Sequence, residues 1–312
     1  MTLDRLAPLL RFAALLALSL AASGCDSSDV TICVGTSYPC YHYDDDPHLY
    51  AVAYADGAFV TVGEDYTIAN SSDGQNFQRQ NVACCGSLQT VFEGAGKWIA
   101  AGTDGVLYSS SDSASWFYQF LPTSRDVRGG AFGASRYVLV ADDGRILHSA
   151  NAGAWEVVEV GTGADLRDVA FGADVFVAVG DQGTILHSAD GESWTEANSR
   201  TASDLRGVGF GDGLFVAVGE GGAIATSTNG VDWRLEASPT ALTLQDVAHG
   251  QGLHVVVGND GTVLTSPDAV TFTLRDAETS RDLEGIAFGA GLFVVVGDHQ
   301  AIRNSYDAID WF

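Results

Sequence analysis

The chain has 312 residues, 46% of them hydrophobic, with 37 glycines and only 6 prolines, a composition typical of a folded, turn-rich protein. It carries 15 basic and 40 acidic residues, for a formal net charge of −25. Because such a surface repels DNA, RNA and anionic lipid headgroups, we expect no nucleic-acid partner and no electrostatic binding to a membrane.

The N-terminal residues have the pattern of an export signal. Arg5 and Arg11 precede the apolar run 12–22, which is too short to span a bilayer as a helix. The following Ala-Ser-Gly-Cys, 22–25, resembles the lipobox of bacterial lipoproteins, and this resemblance implies cleavage after residue 24 and a lipid on Cys25. The alternative is ordinary secretory cleavage with Cys25 as a free thiol. The prediction is a lipoprotein signal peptide at 1–24, a tether at 25–37, and a location in the bacterial cell envelope with membrane contact only through the lipid anchor.

Four further cysteines follow Cys25. An even number in an exported chain favours disulfides over metal binding. Three pairings are possible, of which Cys33 with Cys40 is the one we favour, and two free thiols remain an alternative. The other two cysteines are Cys84 and Cys85.

Residues 38–312 repeat a 39-residue unit seven times without insertion or deletion. The marker of each copy is a serine, an Asp or Asn two residues later, and an aromatic ring six residues after the serine, as at Trp194. A unit this short cannot bury its own apolar faces, so the copies must stack. The serine and acid or amide positions are Ser71 and Asp73, Ser110 and Asp112, Ser149 and Asn151, Ser188 and Asp190, Ser227 and Asn229, Ser266 and Asp268, and Ser305 and Asp307.

The fourth copy predicts a four-stranded antiparallel meander. Its strands are expected at Leu166–Gly172, Val175–Val179, Thr184–Ser188 and Trp194–Asn198. The second of these is apolar at every position, which is typical of a strand covered on both faces. Asp-Gly dipeptides in the turn after this strand in other copies are strong hairpin signals. Seven such meanders suit radial packing, so we expect an all-β, seven-bladed β-propeller over 38–312.

The ends of the chain favour a closed ring over an open row. The last copy stops at Trp311 and Phe312, where its fourth strand should begin. Seven periods before Trp311 lies Tyr38. We therefore expect residues Tyr38 to Asp46 to supply the missing strand of the last blade.

The segment Ser188-Ala189-Asp190-Gly191-Glu192-Ser193-Trp194 resembles the Asp-box (BNR-like) repeat of sialidases, related glycosidases and the photosystem II assembly and stability factor family. The resemblance implies a propeller whose boxes lie on the face remote from the functional site. The box here is one residue shorter than that of sialidases, whose fold has six blades, and no Arg-Ile-Pro segment occurs. We interpret the box serines and acids as residues that stabilise turns.

The start of each first strand is where the copies differ. The residues in this column are Tyr50, Gln89, Arg128, Arg167, Arg206, Gln245 and Glu284. Sialidase-like enzymes hold a substrate carboxylate with three arginines and use a Tyr and Glu pair as nucleophile. The resemblance thus implies a ligand-binding site of Arg128, Arg167, Arg206, Tyr50 and Glu284, and the planar guanidinium suits a carboxylate. The alternative is local ion pairing of the arginines with Asp126, Asp165, Asp168 and Asp204.

Two further constellations could hold a metal ion. The turns between second and third strands are acidic and could offer oxygen ligands to Ca²⁺, although Asp is also a common turn residue. His249 and His254 could face each other across a hairpin, but two imidazoles make a poor zinc site, and we interpret them as replacements of aromatic residues. We expect no cofactor, metal site or catalytic residue. The acidic turn residues are Glu64, Asp65, Asp104, Asp142, Asp143, Asp181, Glu220, Asp260 and Asp298.

The sequence therefore predicts an envelope-anchored lipoprotein that acts as a non-enzymatic binding or assembly scaffold. The expected partner is a protein or an extracellular glycan. The alternative is a sialidase-like glycoside hydrolase acting on an acidic sugar.

Overall fold

In the computed structural model, residues 46–80, 82 and 86–312 are described, and their regular elements are β-strands and single turns of 3₁₀ helix. The first four blades are β1 Leu49–Ala55, β2 Ala58–Gly63, β3 Ile68–Ser71 and β4 Gln78–Arg79; β5 Leu88–Gly94, β6 Lys97–Gly102, β7 Val106–Ser110 and β8 Phe117–Phe120; β9 Val127–Gly133, β10 Arg136–Ala141, β11 Arg145–Ser149 and β12 Glu156–Glu159; and β13 Leu166–Gly172, β14 Val175–Gly180, β15 Ile185–Ser188 and β16 Thr195–Ala197. The remaining three are β17 Leu205–Gly211, β18 Leu214–Gly219, β19 Ile224–Ser227 and β20 Arg234–Leu235; β21 Leu244–Gly250, β22 Leu253–Gly258, β23 Thr262–Ser266 and β24 Thr273–Asp276; and β25 Leu283–Gly289, β26 Leu292–Gly297 and β27 Ala301–Ser305.

Each blade is an antiparallel meander, and the seven blades close into a ring. The first strands pack side by side in the order β1, β5, β9, β13, β17, β21 and β25, and β25 packs against β1 again. The prediction of a seven-bladed β-propeller is confirmed. No helix among the described residues is long and apolar enough to cross a membrane.

The second strand of each blade forms the core. In β14 the residues from Phe176 to Gly180 are buried, on both faces of the sheet. Val177 and Val179 pack against Val208 and Phe215 of the next blade. The uninterrupted apolar run therefore marks a strand that is covered on both faces, as the sequence indicated, since each sheet has a neighbouring sheet on either side.

The turns between second and third strands differ from a simple hairpin. In blades two to seven each is a single 3₁₀ turn, for example Asp142–Gly144. Asp104, Asp143 and Asp260 occupy the middle of three of these turns with left-handed φ values of 57°, 60° and 53°. Asp tolerates this backbone region better than most residues, which is the physical basis of the Asp-Gly turn signal.

The seam of the ring lies at blade seven, where the described residues form three strands. Phe312 exchanges two backbone hydrogen bonds of 3.0 Å with Asn304, so it begins a fourth strand. The amide of Gln300 donates to the carbonyl of Pro47 at 3.1 Å, which holds the start of the described chain against this blade. The strand predicted at Tyr38 to Asp46 lies outside the described residues except for Asp46, and it stays a prediction. The signal peptide, the tether and the five cysteines also lie outside the described residues.

Candidate functional site

The box residues stabilise the turns between third and fourth strands. Ser188 Oγ donates to Asp190 Oδ1 at 2.9 Å, and the same oxygen accepts the amides of Glu192 and Ser193 at 2.8 Å each. These bonds lower the pKa of Asp190 to about 2. All seven copies contain the same three hydrogen bonds: the serine hydroxyl donates to the side-chain oxygen of the Asp or Asn, and that oxygen also accepts two backbone amides. The polar side chains of the boxes therefore find their hydrogen-bond partners within the turn.

The seven column residues converge on one cavity at the opposite end of the blades. In blade four Leu166 pairs with Gly180 and Asp168 with Val179, so Arg167 is the extra residue of a β-bulge. The same bulge occurs at the start of every first strand. A bulge redirects a side chain, and here all seven side chains line a central cavity of about 160 Å³. We name this set the mouth ring: Tyr50, Gln89, Arg128, Arg167, Arg206, Gln245 and Glu284.

The three arginines of the mouth ring are ion-paired within their own blades. Arg128 and Arg167 each form two parallel hydrogen bonds, to Asp142 at 2.9 and 3.0 Å and to Asp181 at 2.8 and 2.8 Å. Arg206 pairs with Glu220. The guanidinium of Arg167 lowers the pKa of Asp181 below its usual range. Their charges are therefore compensated without any ligand.

Two of the four acids that the sequence suggested form ion pairs with the arginines, but they are not the main partners. Asp126 and Asp165 make longer contacts of 3.3 and 3.5 Å with Arg128 and Arg167, respectively. Asp204 instead accepts the amide of Gln182 at 2.7 Å. The main partners lie fourteen residues after the arginines, because the pairing of first and second strands brings the bulge next to the following turn.

The same spacing of fourteen residues joins hydrogen-bonded pairs without an arginine in two other blades. Tyr50 Oη donates to Glu64 Oε1 at 3.2 Å, and Gln245 Nε2 donates to Asn259 Oδ1 at 3.0 Å. Burial, together with Glu64 and further acids, raises the pKa of Tyr50 well above its ordinary value. The phenolate of Tyr50 is thus strongly disfavoured.

Blade seven carries two acids at these positions, Glu284 and Asp298. Burial, followed by repulsion from Asp298 and Asp282, raises the pKa of Glu284 to about 7. His48 Nδ1 lies 2.7 Å from Asp298 Oδ1. Within the described part of the chain, no hydrogen bond or ion pair reaches the carboxylate of Glu284.

Two further carboxyl groups line the cavity, and each follows a member of the mouth ring by one residue in sequence. The sequence did not indicate that they belong to a site. Asp168 accepts the amides of Val169 at 2.8 Å and Val208 at 2.9 Å. Asp246 likewise accepts the amides of Val247 and Ile286. Burial raises the pKa of both groups, and the nearby Asp246 raises that of Asp168 further. We name Asp168 and Asp246 the floor pair.

The predicted histidine pair is present in blade six. His249 and His254 lie opposite each other in the strand register, with ring centroids 4.8 Å apart. Phe210 and Phe215 occupy the same places in blade five at 4.6 Å. The histidines therefore replace an aromatic pair, as the repeat indicated. Burial and the neighbouring His249 lower the pKa of His254 to about 4.

The acidic turns give no obvious metal cage. Among residues 46–80, 82 and 86–312, no group of three or more His, Cys, Asp or Glu side chains is arranged to hold a metal ion. Asp104, Asp143 and Asp260 instead donate their backbone amides to Asp126, Asp165 and Asp282 of the following linkers.

No protein-family model matches the chain, and no curated protein matches it in sequence. Solved structures do resemble it. A structure described as YCF48 bound to D1 peptide has a TM-score of 0.66 and 19% identity, covering 82% of this chain and 91% of that one. YCF48 from Cyanidioschyzon merolae has a TM-score of 0.66 and 16% identity, covering 85% and 97%. The WD40 propeller domain of Doa1 has a TM-score of 0.68 and 14% identity, covering 86% and 96%. At these identities the likeness shows the propeller fold alone.

Proposed function

We propose that this protein is a non-enzymatic binding scaffold that docks a protein partner at the mouth ring. The observation that carries the proposal is the convergence of seven side chains of four residue types, one from each blade, on a single cavity. These side chains differ in charge and hydrogen-bonding capacity from blade to blade, so the cavity offers a ligand an asymmetric set of contacts. A structural neighbour that is described as bound to a peptide supports a protein partner over a glycan.

The chemistry of the mouth ring favours binding over glycoside hydrolysis. A carboxylate-binding trio needs guanidinium groups that are free to meet the substrate, whereas Arg128, Arg167 and Arg206 already pair with carboxylates of their own blades. A tyrosine nucleophile needs an accessible phenolate, and the environment of Tyr50 opposes its formation. Incubation with a panel of fluorogenic sialosides should show no turnover. Turnover that Arg167→Ala abolishes would contradict the scaffold proposal.

Peptide selection tests the binding face directly. Random peptides displayed on phage are selected on the full chain and then counter-screened against Gln89→Trp, which fills the cavity mouth without breaking an ion pair. The matched control is Gln78→Trp on the exposed outer strand of blade one. We expect enriched peptides to lose binding to the first variant and keep it with the second. Peptides that bind both variants equally, or no enrichment, would contradict the proposal.

The proposed scaffold is held at the cell envelope by a lipid on Cys25. A tether of residues 25–37 spans at most roughly 45 Å when extended, which keeps the propeller close to its membrane. In bacteria fed an alkyne fatty acid, the chain should become labelled and Cys25→Ala should not. Equal labelling of both chains would contradict the anchor.

A further inference from the structure

The charges around the mouth ring are balanced in blades three to five but not in blade seven. Arg128, Arg167 and Arg206 each face a carboxylate fourteen residues later. In blade seven the corresponding pair is Glu284 and Asp298, which repel each other. Asp298 has His48 at 2.7 Å, but Glu284 has no such partner among the described residues. This is the mouth position at which an added positive charge would replace repulsion with attraction.

The floor of the same cavity holds two carboxyl groups whose ionisation is unfavourable without a counter-charge. Asp168 and Asp246 are held by four backbone amides, two each, and among the described residues no basic side chain forms a hydrogen bond or ion pair with either group. Buried carboxylates usually occur with a counter-charge. Glu284 lines the same cavity, so three carboxyl groups belong to its lining.

We propose that the protein partner inserts a lysine or arginine side chain into this cavity, where Glu284 binds its cationic head and the floor pair attracts it. The inference rests on the proposed function, because it names the chemistry of the partner that the mouth ring docks. Both side chains combine a long apolar stem with a terminal charge, so the stem passes the mouth while the head reaches the carboxylates. The cavity has a volume of about 160 Å³ and is lined by side chains of all seven blades.

Binding of a cation at this place should release protons. The groups that act on Glu284 are Asp298 and Asp282, which favour its protonated form, and Arg206 and His48, which oppose it. Asp168 is acted on by Asp246 across the cavity. A cationic head stabilises the ionised carboxylates, so binding displaces their protons. The affinity for a basic side chain is therefore expected to rise with pH through about 7, where Glu284 ionises.

The test uses four peptide libraries in which a central residue is fixed as Lys, Arg, Glu or Leu and the flanking residues are randomised. Binding to the immobilised full chain is measured at pH 6 and pH 8. We expect the Lys and Arg libraries to bind about tenfold or more tightly than the Leu library, as for a hydrogen bond to a charged group. The preference should increase at pH 8. Glu284→Gln should reduce the preference at least severalfold, whereas Glu196→Gln on the exposed outer strand of blade four removes the same charge and should not.

The outcomes separate this inference from the proposed function. If the libraries bind and Gln89→Trp blocks them, but Lys and Arg are not preferred or Glu284→Gln has no effect, the inference is wrong and the docking face stands. If no library binds at the mouth, both are wrong. If spermidine or Ca²⁺ alone binds with the same dependence on Glu284 while the basic libraries do not, the cavity holds a free cation and the inference is also wrong.

Discussion

The histidine pair of blade six should make the propeller labile in mild acid. The two rings fill a place where other blades have phenylalanines, and the Nε2 atoms of His249 and His254 are buried without a hydrogen-bond partner. Adding a proton to the ring of His254 places a charge in this apolar contact. His254 is 2% exposed. Burial and His249 disfavour its charged form, whereas Asp212 and Asp268 favour that form more weakly.

The size of the effect follows from the pKa of His254, which is about 4 in the folded chain and about 6.5 in an unfolded one. The unfolded chain therefore takes up a proton at a higher pH than the folded chain does. The free energy of unfolding falls as the pH decreases from about 6.5 to about 4, by a total of about 3 kcal/mol from this residue. Above pH 7 neither state is protonated at this residue and the contribution vanishes.

The assay compares urea unfolding of the wild type and the double variant His249→Phe/His254→Phe at pH 7.5 and pH 4.5, followed by tryptophan fluorescence. The double variant should lose about 2 to 3 kcal/mol less stability than the wild type between these pH values, because the carboxyl groups that also titrate are common to both. The reciprocal variant Phe210→His/Phe215→His should add a similar acid sensitivity to blade five. Parallel losses in wild type and double-Phe variant would refute the reasoning.

Three further changes test the turns and the cavity, each by urea unfolding. Asp190→Ala should lower the free energy of unfolding by about 1 kcal/mol, because it removes the hydrogen bonds of the turn. Asp190→Asn should keep most of this stability, since Asn151 makes the same bonds in blade three. Equal losses in the two variants would contradict the role of Asp190 in the turn. Glu284→Gln should raise the free energy of unfolding at pH 8 by up to about 3 kcal/mol and leave it unchanged near pH 4. The reason is that the raised pKa of Glu284 makes its ionisation unfavourable in the folded state. No gain at pH 8 would contradict an uncompensated charge at Glu284. Asp168→Ala, measured near pH 4 so that the raised pKa of Asp168 keeps its ionisation out of the comparison, should cost about 1 to 3 kcal/mol, because the amides of Val169 and Val208 would lose their acceptor; a neutral effect would mean that this carboxyl group does not join the blades.

The repeat made the fold predictable. A fixed period with a serine, an acid or amide and an aromatic ring marks the same turn in every copy, and the apolar second strand marks the buried centre of every blade. Both signals are local in sequence and are repeated, so one copy explains the others. The strand that would complete the last blade was predicted from the two ends of the chain, and of the residues Tyr38 to Asp46 only Asp46 is described, so it stays a prediction.

The site was predictable in its membership and not in its electrostatics. Alignment of the copies identified the mouth ring, because the repeat gives these seven residues the same place at the start of the first strand, where they differ in charge and size. The main partners of its arginines, such as Asp142 and Asp181, lie fourteen residues further along the chain. The sequence instead suggested acids within a few residues of each arginine. The floor pair was missed because Asp168, beside an arginine in sequence, resembles a surface ion-pair partner. Its burial arises from the neighbouring blade, which no single repeat reveals.

The mouth ring and the box turns lie at opposite ends of the blades, so hydrogen–deuterium exchange on a peptide complex tests the docking face most directly. The full chain is compared with and without the peptide selected most strongly at the cavity mouth. The account predicts slower exchange in the turns after the second strands, such as Asp181–Gly183 and Asp298–Gln300, and unchanged exchange in the box turns, such as 189–193. Slower exchange confined to the box turns would contradict it.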